Sequence, residues 1–363
     1  MSANSTAGSN GSDIGAHFAS AVAALGVAAA WQQMSNRKRA VAEQSEALTQ
    51  ASLGNLLDDP QYPQTWDDYV GQDDAKDMLR AAVARARDRR EPVRHVLISC
   101  GEPGVGKTAL AVLLAREIGS RCFTISGTPN AEQVRRIIGG MQPGDVLFID
   151  EIHRLVTGGK AKSEWLLHVL QDDALVGPMG VEKAHLGITV VGATTDVGKL
   201  PEPLIDRFGV RPVLTRYNAD DAYSIAFCAA KTLFAPAPIP SMLDLTRFIH
   251  AADFNPRRIK QLLQQAVDCH YDPLGYDAGR VLERARMTDD GLDHTAQRLL
   301  VLLLQVGKMG ESRLRNLLQE ADLMYVQRRL SDKGLITFTS AGITLTEDGR
   351  VRARELQDEG VRV

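Results

Sequence analysis

Cysteine is scarce in this chain, and its few cysteines stand apart. The 363 residues hold 4 of them, Cys100, Cys122, Cys228 and Cys269, with no C-x-x-C spacing. That excludes a disulfide framework and a cysteine-built zinc site, and it suits a reducing compartment. An excess of positive charge is also missing. The formal net charge is -3, so any contact with nucleic acid has to come from a local patch. No internal repeat is present, which sets aside solenoids and propellers. The first apolar run fits a cleaved signal peptide less well, because no positive stretch precedes it.

That run is "IGAHFASAVAALGVAAAWQQMSN", residues 14–36. It carries no acidic or basic residue apart from His17 and is followed at once by Arg37, Lys38 and Arg39. About 20 mostly apolar residues suffice for a membrane-spanning helix. The basic trio would then hold the rest of the chain in the cytoplasm, anchored to the membrane. Its alanine content argues the other way, since alanine contributes little to insertion. A helix lying at the interface, or packed on the protein, fits the same residues. Ahead of it, Met1 to Gly11 is rich in Ser, Asn and Gly and reads as disordered. Residues 1–57 form an N-terminal extension outside every motif described below.

What is present begins with "HVLISCGEPGVGKTALA", residues 95–111. Gly101, Gly106, Lys107 and Thr108 fill the fixed places of G-x-x-x-x-G-K-[ST]. Gly101, Glu102, Pro103, Gly104, Val105, Gly106, Lys107, Thr108 and Ala109 form the loop and the first turn of the helix after it. Glycines let backbone N–H groups curl around an anion at a helix N-terminus, where the dipole favours negative charge. Lys107 is placed to neutralise the phosphates of ATP, and the Thr108 hydroxyl to hold Mg²⁺. The apolar strand "VLFI" then ends in Asp150 and Glu151, 43 residues after Lys107 in the case of Asp150. Acids at the carboxyl end of a buried strand lie where ligands bind in open α/β sheets. Asp150 suits Mg²⁺, and Glu151 suits activation of the attacking water. Loop and acids together predict ATP hydrolysis.

Further residues refine this site. Thr195 ends the strand "VVGATT" and can offer a hydroxyl to the γ-phosphate or its water. Arg207 in "PLIDRFG" carries a guanidinium suited to transition-state charge, supplied from a neighbouring subunit. Arg257 and Arg258 open the helix "FNPRRIKQLL", and Arg257 can point back at the nucleotide. Strands alternating with helices up to residue 214 predict an α/β domain with a parallel sheet covered on both faces. Residues 215–287 are helical only. Residues 288–363 read as two or three helices leading into a hairpin, "LITFTSAGITLTEDG".

The series "TWDDYVGQ" (65–72), "LFIDEIHRL" (147–155), "VGATTDVGKLPEPLIDRFG" (191–209), "NPRRIKQLL" (255–263) and "GLDHTAQRLL" (291–300), taken with the phosphate loop, resembles the AAA+ ATPases. Within them it resembles the RuvB family of Holliday-junction branch-migration motors. The resemblance covers roughly residues 60–350. It implies a P-loop sheet domain (58–214), a small helical lid domain (215–287) and a C-terminal winged-helix domain (288–363). It implies a hexameric ring acting on DNA in recombination and repair. Thr195 becomes the first sensor, Arg207 the finger acting across subunits, Arg257 the second sensor, and Tyr217 the ring stacked on adenine.

Departures from the family pattern matter too. "DALVGPMGVEKAHLGITVV" is several residues shorter than the segment with which RuvB grips its partner RuvA, which argues against docking to a RuvA-type partner. Tyr62-Pro63 replaces the family's "RP". The wing "TFTSAGITLT" lacks arginines, and residues 289–363 carry 11 Lys/Arg against 12 Asp/Glu. Arg328, Arg329 and Lys333 remain as a small basic patch for DNA, with a solvated helix face as the alternative. Two readings therefore stand at this stage: a DNA motor, or an ATPase ring that remodels a protein partner at the membrane.

Overall fold

The computed structural model describes Leu57, Asp59 and residues 62–362, apart from 126–128, 130, 158–159, 178–179, 272–275, 311–312, 315–317, 319–322 and 341. The expected anchor at residues 14–36 lies outside the described residues. Among the described residues no helix is long and apolar enough to cross a membrane.

The chain enters through turns at residues 62–69 into helix α1 (Asp73–Arg89), whose buried side chains include Leu79, Ala82, Val83 and Ala86, one stripe of a 3.6-residue period. Strand β1 (Val96–Cys100) is buried throughout and runs into the phosphate loop and α2 (Lys107–Ile118). Then come β2 (Cys122–Ile125), α3 (Ala131–Gly140), β3 (Val146–Ile149), α4 (His153–Thr157) and α5 (Lys160–Asp172). A hairpin of β4 (Ala174–Gly177) and β5 (Gly180–Ala184) follows, then β6 (Thr189–Thr194), α6 (Glu202–Ile205) and β7 (Val213–Leu214). The parallel sheet has the order β2-β3-β6-β1-β7. Its central strands are apolar on both faces because helices cover both, so each reads as a continuous apolar run.

Strand order brings the chemistry together. β3, β6 and β1 are neighbours, with Ile149 opposite Gly192 and Ser99 opposite Thr194. Their carboxyl ends therefore set Asp150 and Glu151, Thr195, and Gly101 side by side, about 4.8 Å from strand to strand.

The second unit is α7 (Ala219–Phe234), α8 (Met242–Ala251), α9 (Pro256–His270) and α10 (Ala278–Ala285). Each begins at a side-chain cap, Asn218, Ser241, Asn255 and Asp277 in turn, which accepts an orphan helix N–H. Their apolar faces merge with α1, α2 and one face of the sheet into a single core. The other sheet face, with α3 and α5, makes a second core. A third, separate core holds α11 (His294–Val306), β8 (Lys308–Met309), α12 (Leu323–Asp332), β9 (Ile336–Thr339), β10 (Gly342–Leu345) and α13 (Glu347–Asp358). Its antiparallel sheet has the order β8-β10-β9, a helices-plus-wing arrangement.

Candidate active site

Gly104 and Gly106 sit at φ 86° and 105°, in the left-handed region. A Cβ at Gly104 would stand 2.7 Å from Asn255 Oδ1, and one at Gly106 would stand 2.6 Å from the Tyr69 hydroxyl. Both glycines are thus fixed by backbone conformation and by close approach. The loop is held from three sides. Asn255, the cap of α9, donates from Nδ2 to the Pro103 carbonyl at 2.8 Å. The Tyr217 hydroxyl donates to the Val105 carbonyl at 3.2 Å. Glu102 Oε1 forms an ion pair with Arg216, 3.2 Å from its Nε.

Over this loop opens a cavity of about 1170 Å³. Lys107 and Thr108 from α2, Asp150 and Glu151 from the end of β3, and Thr195 from the end of β6 all face it. Lys107 is buried, with Nζ 3.3 Å from Cys100 Sγ and 3.7 Å from Glu151 Oε1. Glu151 has φ 49°, unusual for a residue with a side chain. The Thr195 hydroxyl donates to its Oε2 at 3.0 Å. His153 Nδ1 lies 3.3 Å from the same oxygen and 2.9 Å from Thr194 Oγ1. Burial lowers the His153 pKa below its ordinary value, despite the neighbouring Glu151 charge, which raises it. His153 is therefore neutral at neutral pH. Glu151 is a carboxylate gripped on one oxygen and facing the cavity, the arrangement a water-activating base needs.

Thr108 and Asp150 both line the cavity and fit Mg²⁺ as a pair of oxygen donors. No cluster of three His, Cys, Asp or Glu side chains able to hold a metal occurs among the described residues. Mg²⁺ in such sites is typically bound by one or two protein oxygens plus substrate phosphates and water, which Thr108 and Asp150 could complete.

Arg257 lines the cavity from the first turn of α9, its N–H capped by Asn255 Oδ1 at 3.1 Å. Arg207 does not line it. Its guanidinium donates to Gln171 Oε1 at 2.6 and 3.1 Å and to the Pro203 carbonyl at 2.9 Å.

Three expectations need correction. Tyr217 is 7% exposed and does not face the cavity, because its ring is packed beneath the loop it hydrogen-bonds. The aromatic rings that line the cavity are Tyr62 and Tyr325. Arg329 is not part of a surface patch. It is 2% exposed, bonded to Asp253 Oδ2 at 3.2 Å, Asp293 Oδ2 at 2.8 Å and the Gly291 carbonyl. Lys333 is exposed but engaged, its Nζ 3.5 Å from Asp253 Oδ1 and 3.0 Å from the Asp290 carbonyl. Arg328 lines the nucleotide cavity. Arg328 and Lys333 are exposed and Arg329 is buried, so the three do not form the single exposed basic patch expected for DNA.

The residues that sequence reasoning missed are His153, Asn255 and Tyr69. Asn255 was visible as a cap ahead of Pro256. His153 stands two residues after Glu151 in "DEIHRL".

Residues 61–214 match the family model described as the Holliday junction DNA helicase RuvB P-loop domain. A RuvB branch-migration subunit from Synechococcus sp. strain CC9311 is 33% identical over 332 residues, covering 85% of this chain and 90% of its own. The chain belongs to the RuvB family. The RuvB subunit of a Picosynechococcus species is 35% identical over 277 residues, 72% of this chain and 74% of its own. Among solved structures, the RuvB Holliday junction branch migration motor of Thermotoga maritima superposes with a TM-score of 0.68 at 27% identity, covering 85% of this chain and all of that one. These relatives extend the likeness through the lid and winged-helix units, well past the phosphate loop that many ATPases share. The shortened segment after Asp172 is still a hairpin in this RuvB-family chain, with Val181 standing exposed on β5.

Proposed function

We propose that this chain is an ATP-hydrolysing ring motor that drives branch migration of four-way DNA junctions, in recombination and repair. The observation that carries the hydrolysis is Glu151, held by Thr195 at the mouth of the phosphate loop. The named activity of the matched relatives carries the substrate and replaces the reading in which the ring remodels a protein.

Lys107 exchanges its contact with Glu151 for the β- and γ-phosphate oxygens. Thr108 and Asp150 would hold Mg²⁺, which would supply further neutralisation of phosphate charge. Glu151 takes the proton of a water attacking the γ-phosphorus, and the bond to the β–γ bridging oxygen breaks. Thr195 fixes the carboxylate and senses the γ-phosphate, and Arg257 joins the lid to the same phosphates. Arg207, which does not line its own cavity, serves the next subunit of a hexamer. Residues 58–214, 215–287 and 288–363 are the ATPase, lid and winged-helix domains. The shortened β4–β5 hairpin argues against docking to a RuvA-type partner, so the motor is proposed to act on DNA without requiring one. The ATPase domain works in the cytoplasm, where ATP is.

The test is a labelled synthetic four-way junction incubated with the full-length protein, Mg²⁺ and ATP, alone and with a RuvA-type partner. The expected outcome is ATP-dependent conversion to duplex products. Steady ATP turnover with junctions left unmoved under both conditions would overturn the DNA reading and leave the ATPase standing.

A further inference from the structure

We propose that the winged-helix domain completes the nucleotide site of its own chain, with Arg328 as a phosphate-binding residue. The proposal rests on the ATPase reading above and adds to it a group from the third domain.

Three side chains from one face of α12, Met324, Tyr325 and Arg328, line the cavity over the phosphate loop. Arg328 reaches furthest. Its Nη1 lies 3.1 Å from where a Cβ on Gly101 would be. Gly101 is not at positive φ, so the space a side chain would need there is the space Arg328 fills. The guanidinium thus rests against the first residue of the loop, on the cavity that Lys107, Asp150 and Thr195 also face.

Charge separates Arg328 from its neighbours. Arg329 is paired with Asp253 and Asp293, Arg258 with Asp293, and Arg216 with Glu102 and Asp253. Arg328 has no carboxylate partner among the described residues. An unpaired guanidinium on a phosphate loop has a fork of donors matched to phosphate oxygens. Its helix is also held in place. Arg329 is buried in its ion pairs one residue further on. The Tyr325 ring carries the guanidinium groups of both Arg258 and Arg329, 5.4 and 5.6 Å from its centroid. Burial pushes the Asp253 carboxyl up, but Lys333, Arg216 and Arg329 outweigh it and hold the group below the usual carboxylate range. That anchor stays charged and keeps α12 seated. Nucleotide bound in the cavity therefore touches all three domains, and the third registers occupancy directly through Arg328.

The experiment is titration of the full-length protein with fluorescent ADP and ATPγS in Mg²⁺, without DNA. Arg328→Ala, Arg328→Lys and Lys107→Ala are compared with the wild type. Arg328→Ala is expected to weaken ATPγS binding roughly tenfold or more, the effect of one charge-assisted hydrogen bond. Arg328→Lys should recover part of it. The melting temperature without nucleotide should be unchanged, because Arg328 is exposed, while the rise produced by nucleotide should shrink. Binding of both nucleotides within about twofold of wild type, with Lys107→Ala defective, would overturn the proposal. So would a loss of junction affinity at unchanged nucleotide affinity, which would return Arg328 to DNA. If Lys107→Ala also binds normally, the nucleotide-site reading itself fails and takes this inference with it.

Discussion

In the proposed mechanism the chemistry turns on Glu151. It follows Asp150 just beyond the end of β3, in a left-handed backbone conformation that costs on the order of 1 kcal/mol. That cost places its carboxylate against Thr195 and beside His153. Glu151→Gln keeps an oxygen for the Thr195 hydroxyl and removes only the basicity. Turnover should fall by roughly 10²- to 10⁴-fold, with nucleotide affinity near wild type. A variant that still hydrolyses ATP at a tenth of the normal rate would rule Glu151 out as the base. Glu151 was legible in the sequence because chemistry demands an acid at a strand end a set distance beyond the phosphate loop. The fates of Arg328 and Arg329 were not. Adjacent residues on a helix point about 100° apart, and α12 puts one in a cavity and the other in the core. Only the neighbours of α12, which lie on other elements, decide which is which.

Among elements, the pairing of β1 with β6 contains a pH-sensitive joint. His95, just ahead of β1, accepts the Val190 N–H on Nδ1 at 3.1 Å. Burial lowers its pKa from the ordinary 6.5 to about 4, although Asp173 and the Leu170 backbone act the other way. The folded state therefore refuses a proton that the unfolded chain accepts once the pH drops below about 6.5. Stability contributed by neutral His95 is complete above that value, falls as the pH drops toward about 4, and changes no further below it. Between roughly pH 7.5 and 5 the loss should be about 2 kcal/mol. Urea unfolding at the two pH values, for wild type and His95→Gln, measures it. An equal pH dependence in both proteins would remove His95 as the cause. The strands themselves were readable as apolar runs. Helix α13 and strand β8 were not. α13 buries a sparse stripe, Gly349, Ala353 and Leu356, in an otherwise polar segment. β8 has two residues, too few to show a period.

At the scale of the whole molecule, Arg207 does not line the cavity of its own chain and is expected to serve that of a neighbouring subunit. It rests on the neutral Gln171 side chain and a carbonyl, and no carboxylate among the described residues neutralises it. In mixed assemblies Arg207→Ala subunits should depress wild-type ATP turnover by more than their share. A loss strictly proportional to the fraction of variant would place the arginine's role within its own chain. The order of units was legible because each has its own periodicity. The arrangement of units was not, because the seam between them is made of single charged side chains with no repeating pattern.

That seam differs in kind from the joint between sheet and lid. The lid shares one apolar core with the sheet domain, whereas the winged-helix unit keeps a core of its own and is tied on through Asp253, Asp293, Arg258 and Arg329. Parting the lid from the sheet would bring apolar side chains into water and invite aggregation. Parting the third unit would instead wet groups that water solvates well. Losing the seat of the third unit would therefore cost buried ion pairs but leave the chain dispersed, whereas losing the seat of the lid would expose its core.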